Sequence, residues 1–260
     1  MIPILYTIGN YNVYAFGFFL ALSFLLSTFV VWKYSKDEFK EEDCLDAYLY
    51  GFMTAVISAR LIYILRNFSD FGFHFLQYIL VTETPGLSLM GGALGGFLFL
   101  LYYSRKRKLR FWHILDIFSL STAVSLVLIK IGQQLGGAAF GRETDFFLKI
   151  RIVGLPNFHH PAEFYEAFLF FNVFLILVYL YKISLRKKWP EGTVFAVFGL
   201  CLGLIVFALE FLKVYRVYLY GLSVRQYLAL VMMILSCAFL IHKLNILNKI
   251  NRKNENEISA

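Results

Sequence analysis

The sequence predicts an all-α fold, a polytopic membrane helix bundle of seven transmembrane helices, and three observations lead there. Hydrophobic residues make up 59% of the chain and charged residues 16%, where a soluble domain of this length carries about a quarter. Apolar runs of about 20 residues, the length that crosses a bilayer, recur from end to end, and mean hydropathy is +0.66. Basic residues gather between the runs: Arg105, Lys106, Arg107, Lys108 and Arg110; Arg186, Lys187 and Lys188; Lys243, Lys249, Arg252 and Lys253. The net charge of +8 is therefore an orientation signal and implies no nucleic-acid partner.

Taken in order, the spans read 13–33, 47–66, 87–104, 112–132, 162–182, 192–212 and 222–242. The first is preceded by a dozen residues without Lys or Arg, so it lacks the basic region of a cleavable signal peptide and is expected to stay in the membrane. The second follows an acidic stretch holding Cys44, read as a short charged loop, and carries Arg60 late in its length. The third opens after the turn signal Pro85-Gly86 and contains Met90-Gly91-Gly92-Ala93-Leu94-Gly95-Gly96, two overlapping small-residue repeats that suit close helix packing. The fourth begins beside Asp116, for which a surface role suffices, and ends in Lys130-Ile131-Gly132-Gln133-Gln134. The fifth is entered through His159-His160-Pro161, with proline near the first turn where its missing N–H costs least. The sixth holds Gly199 and Gly203 and ends at Glu210 and Lys213. With the basic segments inside, the N-terminus is outside and the C-terminus cytoplasmic. Residues 1–242 are expected to form one transmembrane domain and 243–260 a basic, polar cytoplasmic tail.

That topology sorts the costly polar groups by depth. Arg60, Lys130, Glu166 and Glu210 come from four different spans and fall at one level, the outer half of the bilayer. A cation at membrane depth costs at least about 2.5–3.5 kcal/mol, so such groups pair with one another or face water. Two readings follow: a buried ion-pair network that holds helices together, or a cavity whose cations Arg60, Lys130 and Arg142 suit an anionic lipid headgroup. Glu163 and Glu166 lie one turn apart. His160 is a candidate base or an interfacial residue. No Cys or His spacing matches a metal site, and no cofactor is expected.

Several segments together carry a resemblance: Ala59-Arg60-Leu61-Ile62-Tyr63, Gly86-Leu87-Ser88-Leu89-Met90-Gly91-Gly92, Phe140-Gly141-Arg142, His160-Pro161 through Tyr165-Glu166, and Glu210-Phe211-Leu212-Lys213. In order and spacing, over about residues 13–243, they resemble the prolipoprotein diacylglyceryl transferases of bacterial inner membranes. The resemblance implies a multi-pass protein of the bacterial cytoplasmic (inner) membrane, an anionic phospholipid such as phosphatidylglycerol as donor, and lipoprotein precursors as acceptors. Of the family's residues this chain keeps Arg60, Arg142, Tyr165, Glu166 and Glu210; the candidate catalytic residues are then His160, Glu166 and Tyr165, and the candidate lipid-binding ones Arg60, Lys130, Gln133, Arg142 and Glu210. Met90 stands where the family has histidine, Lys130 where it has arginine, and Val206 where it has a further arginine. Three functions follow: the family reaction with His160 or Glu166 as base, a related transfer with a different lipid or acceptor, or non-catalytic phospholipid or lipoprotein binding on the same scaffold.

Overall fold

The computed structural model describes residues 3–9, 11–72, 86, 88–137, 141–152, 155–214 and 219–258. The expectations attached to Pro85, Leu87 and Phe140 fall outside these residues. Among the described residues the chain is all-α apart from two small hairpins. Strands β1 (Ile4–Ile8) and β2 (Tyr11–Tyr14) pair antiparallel and lead into helix α1 (Ala15–Ser35). Then come α2 (Glu41–Arg66), the single turn α3 (Phe68–Phe71), α4 (Leu89–Lys106) and α5 (Phe111–Gly136). A second hairpin, β3 (Ile150–Arg151) with β4 (Phe158–His159), precedes α6 (Ala162–Lys187), α7 (Thr193–Glu210) and α8 (Val224–Ile258). Six of these helices are long and apolar enough to cross a membrane: α1, α2, α5, α6, α7 and α8. Helix α4 is 18 residues long, but its glycines and its Tyr-Tyr-Ser-Arg-Lys end keep it out of that group.

The chain divides into two compact units, Met1–Val30 with Leu115–Ala260, and Val31–Ile114, and both divisions fall inside helices, α1 and α5. Within the second unit α2 and α4 run antiparallel, and the α4 glycines set their spacing. A Cβ on Gly91 would lie 2.8 Å from Ile62 Cβ and 2.9 Å from the Ser58 carbonyl, and one on Gly95 would strike the Ser58 side chain. Any side chain there would push the helices apart, which is the packing role the small-residue repeats predict. Ser88 caps α4 by accepting from Gly91 N at 3.2 Å, and its own N–H donates to Ala59 O at 3.0 Å. Arg60 Nη1 donates to Gly86 O at 3.1 Å, which ties the approach to α4 onto α2.

Within the first unit Gly199 and Gly203 bring α7 against Ser236 and Met233 of α8 in the same way. Two sequence expectations are corrected. Asp116 is no surface residue: it is 1% exposed, and its carboxylate accepts from Gly192 N at 2.7 Å and Phe195 N at 2.8 Å. The physical reason is that α7 starts at a glycine, which has no side chain to cap the orphan N–H groups, so α5 supplies the acceptor. Cys44 lies on the first turns of α2, fully buried, because that helix starts six residues before the apolar run does. Helix α8 continues through the polar tail to Ile258.

Candidate functional site

Four charged residues of the first unit lie on three segments that the fold brings to one place. Lys130 comes from the last turns of α5, Glu163 and Glu166 from the first turns of α6, and Lys213 from the turn that follows α7. Glutamates three residues apart share a helix face. Lys130 Nζ lies 2.7 Å from Glu163 Oε2 and 2.6 Å from Glu166 Oε2. Lys213 Nζ lies 2.6 Å from Glu163 Oε1 and 2.6 Å from Glu166 Oε1. Two ammonium groups thus alternate with two carboxylates in a closed ring whose formal charges cancel. The glutamate side chains are 2% and 4% exposed and Lys213 7%, whereas Lys130 is 17% exposed and forms the open edge. Charges this deeply buried persist only where each has partners of opposite sign.

Gln134, one turn beyond Lys130, accepts from Glu163 N at 3.2 Å and so caps α6. It is 2% exposed, and its amide nitrogen has no hydrogen-bond partner among the described residues. Gln133, the neighbouring candidate, is half-buried.

Backbone bonds hold the ring's surroundings. Residues 141–143 make isolated antiparallel bridges to two segments: Gly141 pairs with Lys213 and Glu143 with His159. Gly141 N donates to His160 O, Arg142 N to Leu212 O, and His160 N to Arg142 O. The Arg142 guanidinium is exposed, and its Nε donates to Lys213 O at 3.1 Å. His159 is buried, with Nδ1 2.9 Å from Gly141 O.

His160 and Tyr165 sit together at the mouth of α6. Tyr165 OH donates to Leu148 O at 3.0 Å, and its oxygen lies 3.5 Å from His160 Nδ1. With the phenol proton used on Leu148, the oxygen accepts from Nδ1–H, and that tautomer leaves His160 Nε2 as a proton acceptor. Glu210 lies away from the ring contacts: it accepts from Ser223 Oγ at 3.1 Å and faces Arg225 at 3.9 Å. Arg60, 8% exposed, belongs to the other unit and is described there.

The structure therefore joins Lys130 to Glu166, sets Arg142 beside Lys213 and pairs His160 with Tyr165. Sequence reasoning left Glu163, Lys213 and Gln134 off the list of site residues. A readable signal existed, since two acids on one buried face require two cations, and Lys213 ends a span at the depth of Lys130.

Chemically, such a site offers ammonium groups to a phosphate, carboxylates to a proton and an imidazole nearby. The family model for prolipoprotein diacylglyceryl transferase matches residues 3–242. A phosphatidylglycerol–prolipoprotein diacylglyceryl transferase of Bacteroides fragilis is 30% identical over 232 residues, covering 81% of each chain. Proteins of the same name from Finegoldia magna and Synechocystis are 26% and 24% identical, covering 88% and 91% of this chain and 90% and 87% of their own. This multi-pass membrane protein belongs to the prolipoprotein diacylglyceryl transferase family.

Proposed function

We propose that the protein transfers the diacylglyceryl group of phosphatidylglycerol to the cysteine thiol of a lipoprotein precursor in the bacterial cytoplasmic membrane. The observation that carries this reading is the buried ring of Lys130, Lys213, Glu163 and Glu166 beside His160 and Tyr165. In the reaction the cysteine sulfur bonds to the glycerol carbon that bears the phosphate ester. The carbon–oxygen bond breaks, glycerol phosphate leaves with the electron pair, and a base takes the thiol proton. His160 Nε2 is free to be that base, and Glu166 is the second candidate. Lys130, at the ring's open edge, takes the phosphate and offsets the charge that grows on the leaving group. Arg142, exposed and anchored on the Lys213 carbonyl, adds a second cation. Gln133 and Glu210 complete the lipid-binding set of this unit, Arg60 is a lipid-binding residue on its own unit, and Tyr165 positions His160.

The membrane frame of this reading has seven spans, with α4 as the seventh: 18 residues of helix span about 27 Å, close to the hydrocarbon core. The N-terminus is outside, residues 1–242 form the membrane domain, and residues 243–260 are a cytoplasmic tail. Support comes from the basic last turns of α4 and α6.

Expression in a strain depleted of its own transferase tests the reading. Rescue by the wild type, lost in Lys130→Ala and Glu166→Ala but kept in His74→Ala, is expected; equal effects of all three would count against the site. A second reading, non-catalytic lipid or lipoprotein binding, has one observation in its favour: the ring's charges already cancel one another. It requires no rescue while native mass spectrometry still finds phospholipid bound. A transfer with a different lipid or acceptor would show as a lipid-modified product other than the expected thioether.

A further inference from the structure

At the end of α4 opposite Met90, five basic residues fall within Arg105–Arg110, and they are not equivalent. Arg107 faces Asp43 at 3.8 Å, and Arg110 binds Glu38 at 2.8 Å. Arg105 and Lys108 have no ion-pair partner among the described residues, and both line one cleft of about 570 Å³. Its apolar wall includes Leu101, Phe111 and Trp112. Ser104 lines the same cleft, is 1% exposed, and its hydroxyl has no hydrogen-bond partner among the described residues. A buried hydroxyl without a partner calls for an explanation, and a bound oxyanion supplies one.

The backbone is shaped to present these groups. Helix α4 ends with Leu109 N donating to Ser104 O at 2.8 Å and Lys108 N to Arg105 O at 3.3 Å. The residue at the left-handed position of this motif, usually glycine, is Lys108 at φ 55°. A lysine is held in a conformation that favours glycine, next to an unpaired arginine.

We propose that this cleft binds the phosphodiester headgroup of an anionic phospholipid from the surrounding bilayer, through Arg105, Lys108 and the Ser104 hydroxyl. The site is built wholly from residues of its own unit and does not depend on the transfer reaction. Charge complementarity selects an anion, and the guanidinium fork suits two phosphate oxygens. The wall selects a lipid over a free anion. Leu94, Leu98, Leu101 and Arg105 lie three or four residues apart, so they form one stripe, and Leu94 and Leu98 are 58% and 60% exposed. From Leu94 to Arg105 the helix rises about 16 Å, which matches the roughly 15 Å of hydrocarbon in one leaflet. An acyl chain laid along the leucines therefore ends with its phosphate at Arg105.

The test uses the full chain in nanodiscs of phosphatidylcholine containing a trace of phosphatidylglycerol with a photoreactive acyl chain, and maps the labelled peptides. Labelling within 89–112 is expected to exceed that by a phosphatidylcholine probe of the same chain. It should fall about fivefold for each cation removed in Arg105→Gln and Lys108→Gly. Lys108→Gly suits the left-handed turn, so loss of folding does not confound it. Lys33→Gln/Lys36→Gln removes equal charge elsewhere and should leave the labelling unchanged. Equal labelling by both probes, or labelling indifferent to Arg105→Gln and Lys108→Gly, overturns the proposal. So does displacement of the lipid by inorganic phosphate, which would mark a soluble-anion site.

Discussion

Each carboxylate oxygen of Glu163 and Glu166 meets one lysine Nζ, so removing a single member leaves an uncompensated charge inside the protein. Glu166→Gln should lower stability by about 3–5 kcal/mol, read by thermal unfolding in detergent. Glu166→Gln/Lys213→Gln restores the balance and should be less destabilised than Glu166→Gln alone; a double variant as weak as the sum of the singles would show that hydrogen bonds, not charge, dominate. At this scale the sequence showed which residues are expensive but not how they pair. Lys130 and Glu166 were visible as polar groups at one depth. Gln133 and Gln134 both follow Lys130 by one helical turn, and only the position of α6 decides that Gln134 is the one that caps it.

Helix termini carry the next set of consequences. The acceptor that starts α7 belongs to α5, so Asp116→Ala should cost about 1–3 kcal/mol by leaving buried N–H groups of Gly192 and Phe195 unmet. A chemical-denaturation midpoint unchanged from wild type would contradict that role. Helix α6 ends at Lys188, φ 50°, with Trp189 N donating to Ser184 O. Lys188→Gly should therefore raise stability by about 1 kcal/mol. Helix positions were legible because apolar runs are long and bounded by charge. Tertiary capping was not, since it joins residues 76 positions apart. The first hairpin was missed although Gly9-Asn10 between β-rich runs is a readable turn, and the first span was begun at residue 13, inside β2.

For the molecule as a whole, apolar run length recovers six helices directly, while α4 was recognisable through its turn signal and glycines rather than its hydropathy. If the basic segments face the cytoplasm, a tag after residue 260 should resist protease added to intact spheroplasts, and one before residue 3 should be cut. The reverse pattern would invert the placement of the ring.

The bridged segment 141–143 has an implication for how this chain tolerates change. Its partners are reached through main-chain atoms, which almost any amino acid provides, so drift at Glu143 and Thr144 should be nearly silent. Gly141 is different: a methyl group there would sit 2.6 Å from His160 Cβ, 2.7 Å from His160 O and 2.8 Å from Leu212 O, walled in on three sides. In a saturation library selected for growth, position 141 should be an almost empty column beside permissive neighbours. A hydrogen atom in place of a side chain at that Cα is what lets the lysine after α7 reach the acids at the start of α6.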